Sequence, residues 1–112
     1  MSRALRKTPA FMADFESLFA WYLDQAGEKV AWRFQTALDN SLGKLSVRPD
    51  LGRLRLFRHN ALTGLRSFPV ERPFENLLIF YRANNDVLDV IRVMHGARDL
   101  PRRLRESPTA DD

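Results

Sequence analysis

His95 and Arg98 stand three residues apart, directly after the apolar run Val-Leu-Asp-Val-Ile-Arg-Val-Met over residues 87–94. An imidazole titrates near neutral pH and a guanidinium forks onto an oxyanion, so the pair at a rigid strand end can hold an anion or a partner. The plainer reading is a strand that simply stops, with the histidine capping a backbone carbonyl. Arg66, Tyr81 and Arg82 fall in or beside two further apolar runs and extend the candidate set. For Tyr81 the ring is expected to complete the packing of a sheet, with only its hydroxyl reaching a partner. Arg92 either lines a sheet face or pairs with an acid on a helix. Other chemistries find no footing. There is no Cys, and two histidines, His59 and His95, without organised carboxylates make a poor metal site. Neither a glycine-rich phosphate loop nor a Gly-x-Ser-x-Gly elbow is present, and no cofactor is implied.

The elements that would position these residues are legible. Residues 4–8 suit a short strand, and Thr8-Pro9 reads as a helix cap followed by proline at the first helical position. Phe11, Phe15, Leu18, Tyr22 and Ala26 then recur at helical spacing until Gly27, with Met12, Phe19 and Leu23 on the adjoining edge. A second helix is predicted over residues 28–45 with the stripe Ala31, Phe34, Leu38, Leu42 and Leu45, and the short connection forces an antiparallel hairpin. Pro49-Asp50-Leu51-Gly52 signals a turn, and residues 52–64, where arginines interleave with Leu54, Leu56 and Phe57, read mostly as loop. Strands are predicted over residues 65–70, 76–82 and 87–94, with Asn84-Asn85-Asp86 turning the last pair and Pro69 marking an edge or a bulge. Residues 98–105 suit a short helix, and the small, polar residues 107–112 are expected to be disordered.

Two helices followed by strands give an α+β domain: an antiparallel helical hairpin on a mainly antiparallel sheet of three to four strands, one domain over residues 1–106. By strict alternation, Leu88, Val90, Met94 and Arg92 share one face of the last strand, and Val87, Ile91, Val93, Asp89 and His95 share the other. At 100° per residue, Trp21 and Trp32 both point away from the core stripes of their helices. Two large aromatics on the outside of one hairpin suit a partner or self-association surface.

Composition narrows the partners. Lys and Arg number 18 against 14 Asp and Glu, for a net charge of +4, and the pI is near 10.1. Arginine dominates, with only Lys7, Lys29 and Lys44 as lysines, and its planar fork favours carboxylate and phosphate. That suits an acidic polypeptide, a nucleic acid or a protein–DNA complex. A polar amino terminus and the absence of an apolar stretch of about 20 residues lead to the expectation of a cytoplasmic protein with no membrane partner.

Taken in order, Asp14-Phe15, Ala31-Trp32-Arg33-Phe34, Arg48-Pro49-Asp50-Leu51-Gly52, Leu65-Arg66-Ser67-Phe68, Leu78-Ile79-Phe80-Tyr81-Arg82 and the ending from Arg92 to Leu100 resemble the ParE branch of the ParE/RelE toxins of bacterial type II toxin–antitoxin modules. The likeness spans residues 8–104. It implies the α+β architecture above, with a concave sheet surface that holds RNA in RelE members. It also implies a toxin that poisons DNA gyrase without hydrolytic chemistry and is silenced by a cognate antitoxin. The alternative within the resemblance is a ribosome-dependent mRNA endonuclease, with Arg66 on the phosphate and His95 moving a proton. This chain departs from the nuclease pattern at three places: Leu77-Leu78 where a further arginine is common, His95-Gly96 in place of His-Arg, and Leu100 in place of a late tyrosine. Arg66, Tyr81, Arg82, His95 and Arg98 are therefore read as a recognition cluster or a structural network, and the chain as a binding protein. A third reading is a binding domain with no toxicity. The basic surface with apolar gaps suits an antitoxin segment that is disordered alone and folds across this domain.

Overall fold

A computed structural model describes residues 2–96 and 100–105 of the chain. Strand β1 (Ala4–Lys7) leads into helix α1 (Pro9–Ala26) and helix α2 (Glu28–Val47), followed by β2 (Arg53–Leu54), β3 (Arg66–Pro69), β4 (Leu77–Ala83), β5 (Val87–His95) and the short helix α3 (Leu100–Arg105). The five strands form one sheet in the order β1-β5-β4-β3-β2. All neighbours are antiparallel except β1 and β5, which run parallel with Ala4 opposite Val87 and Lys7 opposite Val90. The sheet thus has five strands, against the three or four expected. The expected short strand at residues 4–8 is present as β1, and the additional strand is the two-residue β2 inside a stretch read mostly as loop.

The helical hairpin forms for the reasons visible in its sequence. Thr8 Oγ1 accepts from the Phe11 N–H at 3.0 Å, capping α1, while the same hydroxyl donates to the Ile91 carbonyl at 2.8 Å and so ties the helix start to β5. Gly27 sits at φ +92°, a backbone region costly for any residue with a Cβ, and it joins the two helices without a loop. Ala31, Phe34, Leu38, Leu42 and Leu45 are all buried, as their spacing requires. Phe34, Leu38, Leu42 and Leu45 pack with Phe11 against Leu77, Ile79 and Tyr81 of β4 and Leu88, Val90 and Val93 of β5.

The other face of the sheet is not open. Leu62, Leu65, Phe80, Met94 and Leu104 form a second buried cluster, with Phe57, Leu78 and Ile91 at its margin. Residues 52–64 and α3 therefore cover much of the surface expected to be concave and available. Alternation along β5 also breaks. Phe80 opposes Arg92 but Tyr81 opposes Val90, so Ile91 is an extra residue on β5, a β-bulge. Val93 consequently joins Leu88 and Val90 on the helix side, while Met94 joins the opposite cluster. The expected grouping of Met94 with Leu88 and Val90 is corrected on this point.

Candidate functional site

Arg66 and Tyr81 face each other across β3 and β4. Both reach the same short turn. Tyr81 Oη donates to the Pro49 carbonyl at 2.6 Å and accepts from the Gly52 N–H at 2.8 Å, while Arg66 Nη1 donates to the Gly52 carbonyl at 2.8 Å. Gly52 is required by closeness alone, since a Cβ there would fall 2.6 Å from Tyr81 Cε1 and nearer still to the hydroxyl. Burial pushes the Tyr81 hydroxyl above the ordinary tyrosine range, opposed by the Gly52 hydrogen bond and the Arg66 charge, so it stays a protonated donor. Arg82, next along β4, donates from Nε to the Thr63 carbonyl at 2.8 Å. The three residues brace the segment between Pro49 and Gly64. The expectation that the Tyr81 hydroxyl reaches a partner is corrected: the residue is fully buried and both hydroxyl bonds are internal.

A shallow depression of about 250 Å³ lies beside this brace, lined by Arg3, Asp50, Arg66, Asn84 and Asn85 among others. His95 is elsewhere. It opposes Leu77, four residues along β4 from the Tyr81 that Arg66 faces, which is about 13 Å of strand at ~3.3 Å per residue. Two further inter-strand spacings separate β3 from β5. Arg66, held at Gly52, and His95 do not converge on one phosphate. Arg98 and Asp99 lie outside the described residues.

Arg92 takes the second of its two expected roles. Its guanidinium grips Asp14 of α1 through Nε at 2.6 Å and Nη2 at 2.9 Å, and Nη1 reaches the Leu104 carbonyl at 3.4 Å. Asp14 Oδ2 also accepts from the Val93 N–H at 3.2 Å. The side chains are only 6% and 9% exposed, so this is a buried pair, hydrogen-bonded through each of the three guanidinium nitrogens and both carboxylate oxygens. Such a pair fixes α1 against β5 and leaves Arg92 engaged.

The hairpin's outer side is different in kind. Trp21 and Trp32 are each 56% exposed, as their helical angles predict. They are linked underneath. Trp32 meets the Phe19 ring edge-on at 5.1 Å, Phe19 leads through Phe15 to Phe34 at 5.8 Å per step, and Phe34 leads through Tyr22 to Trp21 at 5.1 and 5.2 Å. The two indoles are the exposed ends of one connected set of rings. Trp32 also lines a groove of about 610 Å³ between the start of α2 and the turn at Glu71-Arg72-Pro73-Phe74, where Lys29, Arg33 and Arg72 stand with Glu28 and Glu71. Ser41 anchors that turn, accepting from the Glu71 N–H at 2.9 Å while donating to the Ala37 carbonyl at 2.8 Å. Sequence reasoning missed the groove, because only the tertiary packing of Phe74 on Tyr22 and Phe34 brings the turn to α2. Among the described residues no three His, Asp or Glu side chains gather as metal ligands, and no helix is long and apolar enough to cross a membrane.

The fold is that of ParE/RelE-like proteins. A chain of the chromosomal ParDE toxin–antitoxin system from P. aeruginosa superposes with a TM-score of 0.68 at 17% identity, covering 86% of this chain and 98% of that one. A chain of the toxin–antitoxin complex RelBE2 from Mycobacterium tuberculosis gives a TM-score of 0.57 at 19% identity, with 86% and 100% covered. At these identities the likeness establishes the fold. No curated protein sequence matches the chain. Residues 5–100 match the family described as ParE toxin of type II toxin-antitoxin system, parDE, and the chain belongs to that family.

Proposed function

We propose that this chain is a gyrase-directed toxin that acts by binding and is neutralised by an antitoxin. Family membership supports the toxin role, and both structural neighbours come from toxin–antitoxin systems. The observation that carries binding over catalysis is the separation of Arg66 from His95 together with the internal commitment of Arg66 and Tyr81. A nuclease of the related kind needs a cation, an acid and a base around one phosphate, and these residues do not supply them there. The exposed indoles Trp21 and Trp32, with the groove beside Trp32, are the proposed antitoxin surface, since large aromatics over a rigid base dominate binding energy.

Induction in a bacterial host, read in parallel for cleavage of ribosome-bound message and for the DNA damage response, tests this reading. Growth arrest with a damage response and intact message is the expected result, unchanged by His95→Ala. Loss of an essential general acid or base costs about 10²- to 10⁴-fold in rate, so message cuts abolished by His95→Ala or Arg66→Ala would establish the nuclease reading instead. Harmless expression together with no binding partner would overturn both.

A further inference from the structure

The chain's net charge has one address. Residues 51–70 contain Arg53, Arg55, Arg58 and Arg66 and no acid, and the rest of the chain balances at 14 cations and 14 anions. This stretch contains β2, the last strand of the sheet. Arg53 and Leu54 pair with Ser67 and Arg66, and the Arg55 N–H donates to the Leu65 carbonyl at 2.8 Å. In an antiparallel ladder alternate residues bond to opposite sides, so the peptide groups of Leu54 turn outward along the sheet edge, and Leu56 follows two residues past the end of β2. Their side chains stay in solvent, Leu54 at 46% and Leu56 at 88% exposure. Arg53 and Arg58 are exposed, while Arg55 is held by Ser67 Oγ at 3.3 Å and over the Phe57 ring. The segment therefore offers edge hydrogen bonds, alternate apolar side chains and uncompensated positive charge together.

We propose that this edge takes an extended acidic strand of the antitoxin, added beside β2 with its own apolar residues alongside Leu54 and Leu56 and its carboxylates alongside Arg53 and Arg55. The source of the strand rests on the antitoxin reading above; the edge's preference does not. A second copy of this chain is disfavoured, because antiparallel self-pairing would set arginine against arginine. A polynucleotide could meet the arginines but has no use for outward carbonyls or for Leu56. An acidic, alternating peptide satisfies all three features, and main-chain pairing of this kind is an established recognition mode.

The test uses the full chain, isotope-labelled for amide spectroscopy, with three probes: a capped peptide alternating Glu and Val, a peptide of equal composition with Glu and Val in separate blocks, and a single-stranded RNA of similar charge. The alternating peptide should shift the Leu54 and Leu56 amides and protect them from exchange. Arg53→Glu combined with Arg58→Glu should weaken that binding about tenfold with the melting temperature unchanged. Equal binding by the block peptide, shifts confined to other residues, or tighter RNA binding at the same amides would overturn the proposal. An antitoxin complex that leaves the Leu54 and Leu56 amides in fast exchange overturns the edge assignment alone, whereas peptide binding without any antitoxin overturns only the antitoxin reading.

Discussion

The two edges of the sheet are finished in opposite ways. On one side β1 covers β5 only as far as Val90, and α1 takes over beyond it: the Thr8 N–H donates to the Val90 carbonyl at 3.1 Å, its hydroxyl to Ile91, and Asp14 receives the Val93 N–H and the Arg92 guanidinium. The Val90 and Ile91 carbonyls and the Val93 N–H of β5 thus meet polar groups supplied by Thr8 and the first turns of α1. On the other side β2 is secured only from within, through Gly52, Tyr81 and Arg66, and its outer peptide groups face solvent. One edge has been converted into structure and the other left available. Burial decides which substitutions matter at each.

The largest effect is expected at the sealed edge. Asp14→Ala strands a buried guanidinium and should cost about 3–5 kcal/mol, read by denaturant unfolding. Replacing both partners, Asp14→Leu with Arg92→Met, should cost much less than either single change, and a double variant as unstable as the single ones would show that the pair does more than satisfy itself. Next comes the inner brace of β2. Gly52→Ala drives a methyl into the Tyr81 ring and should cost about 1–3 kcal/mol, whereas Tyr81→Phe, which orphans the Gly52 N–H and the Pro49 carbonyl, should fall in the same range through lost hydrogen bonds. In both variants exchange should quicken across residues 49–56 before it does in β5. Native-state hydrogen exchange then ranks the edges directly: the Val93 amide should open only with global unfolding, the Leu56 amide almost freely. The smallest effect belongs to the exposed pair Arg6 and Asp89. The Arg6 hydrogen bond holds the Asp89 carboxyl below its ordinary range, so its contribution is present above about pH 4 and fades as pH falls through the depressed value. Asp89→Asn should therefore lower the melting temperature slightly at neutral pH, flatten the acid limb of the profile and converge with the parent chain at low pH.

This contrast was only half legible in the sequence. The hairpin could be read because Thr8, Pro9, Gly27 and the helical stripes are local signals, and the turn at Asn84 likewise, its Oδ1 accepting from the Asp86 and Val87 amides. β1 could be suggested but not placed, since four exposed residues carry no pattern that names a partner more than eighty positions away. Arg92 could be assigned either a surface or a helix acid. What decided it was the depth of Asp14, on the same helical face as Phe11 and Leu18. The bulge at Ile91 leaves no mark in residue type, so strict alternation misassigned Val93 and Met94. The candidate site suffered most from long-range geometry. Arg66, Tyr81 and Arg82 do form a group, as their strand positions allowed, but what they hold is this chain's own turn, and His95 lies a strand's length away. Trp21 and Trp32 were placed correctly because helical angle alone decides their direction.

The order in which the strands are synthesised has its own consequence. β5 is the last strand made, yet it stands between β1 and β4, and β1 pairs with nothing else in the sheet. A nascent chain that has emerged only as far as β4 thus carries an unpartnered first strand and lacks Val90, Arg92 and Val93, the groups that receive Thr8 and Asp14. Closure of the domain requires contacts across almost the whole chain and should be slow for its size. The five-stranded sheet cannot be completed until this one late strand has been made.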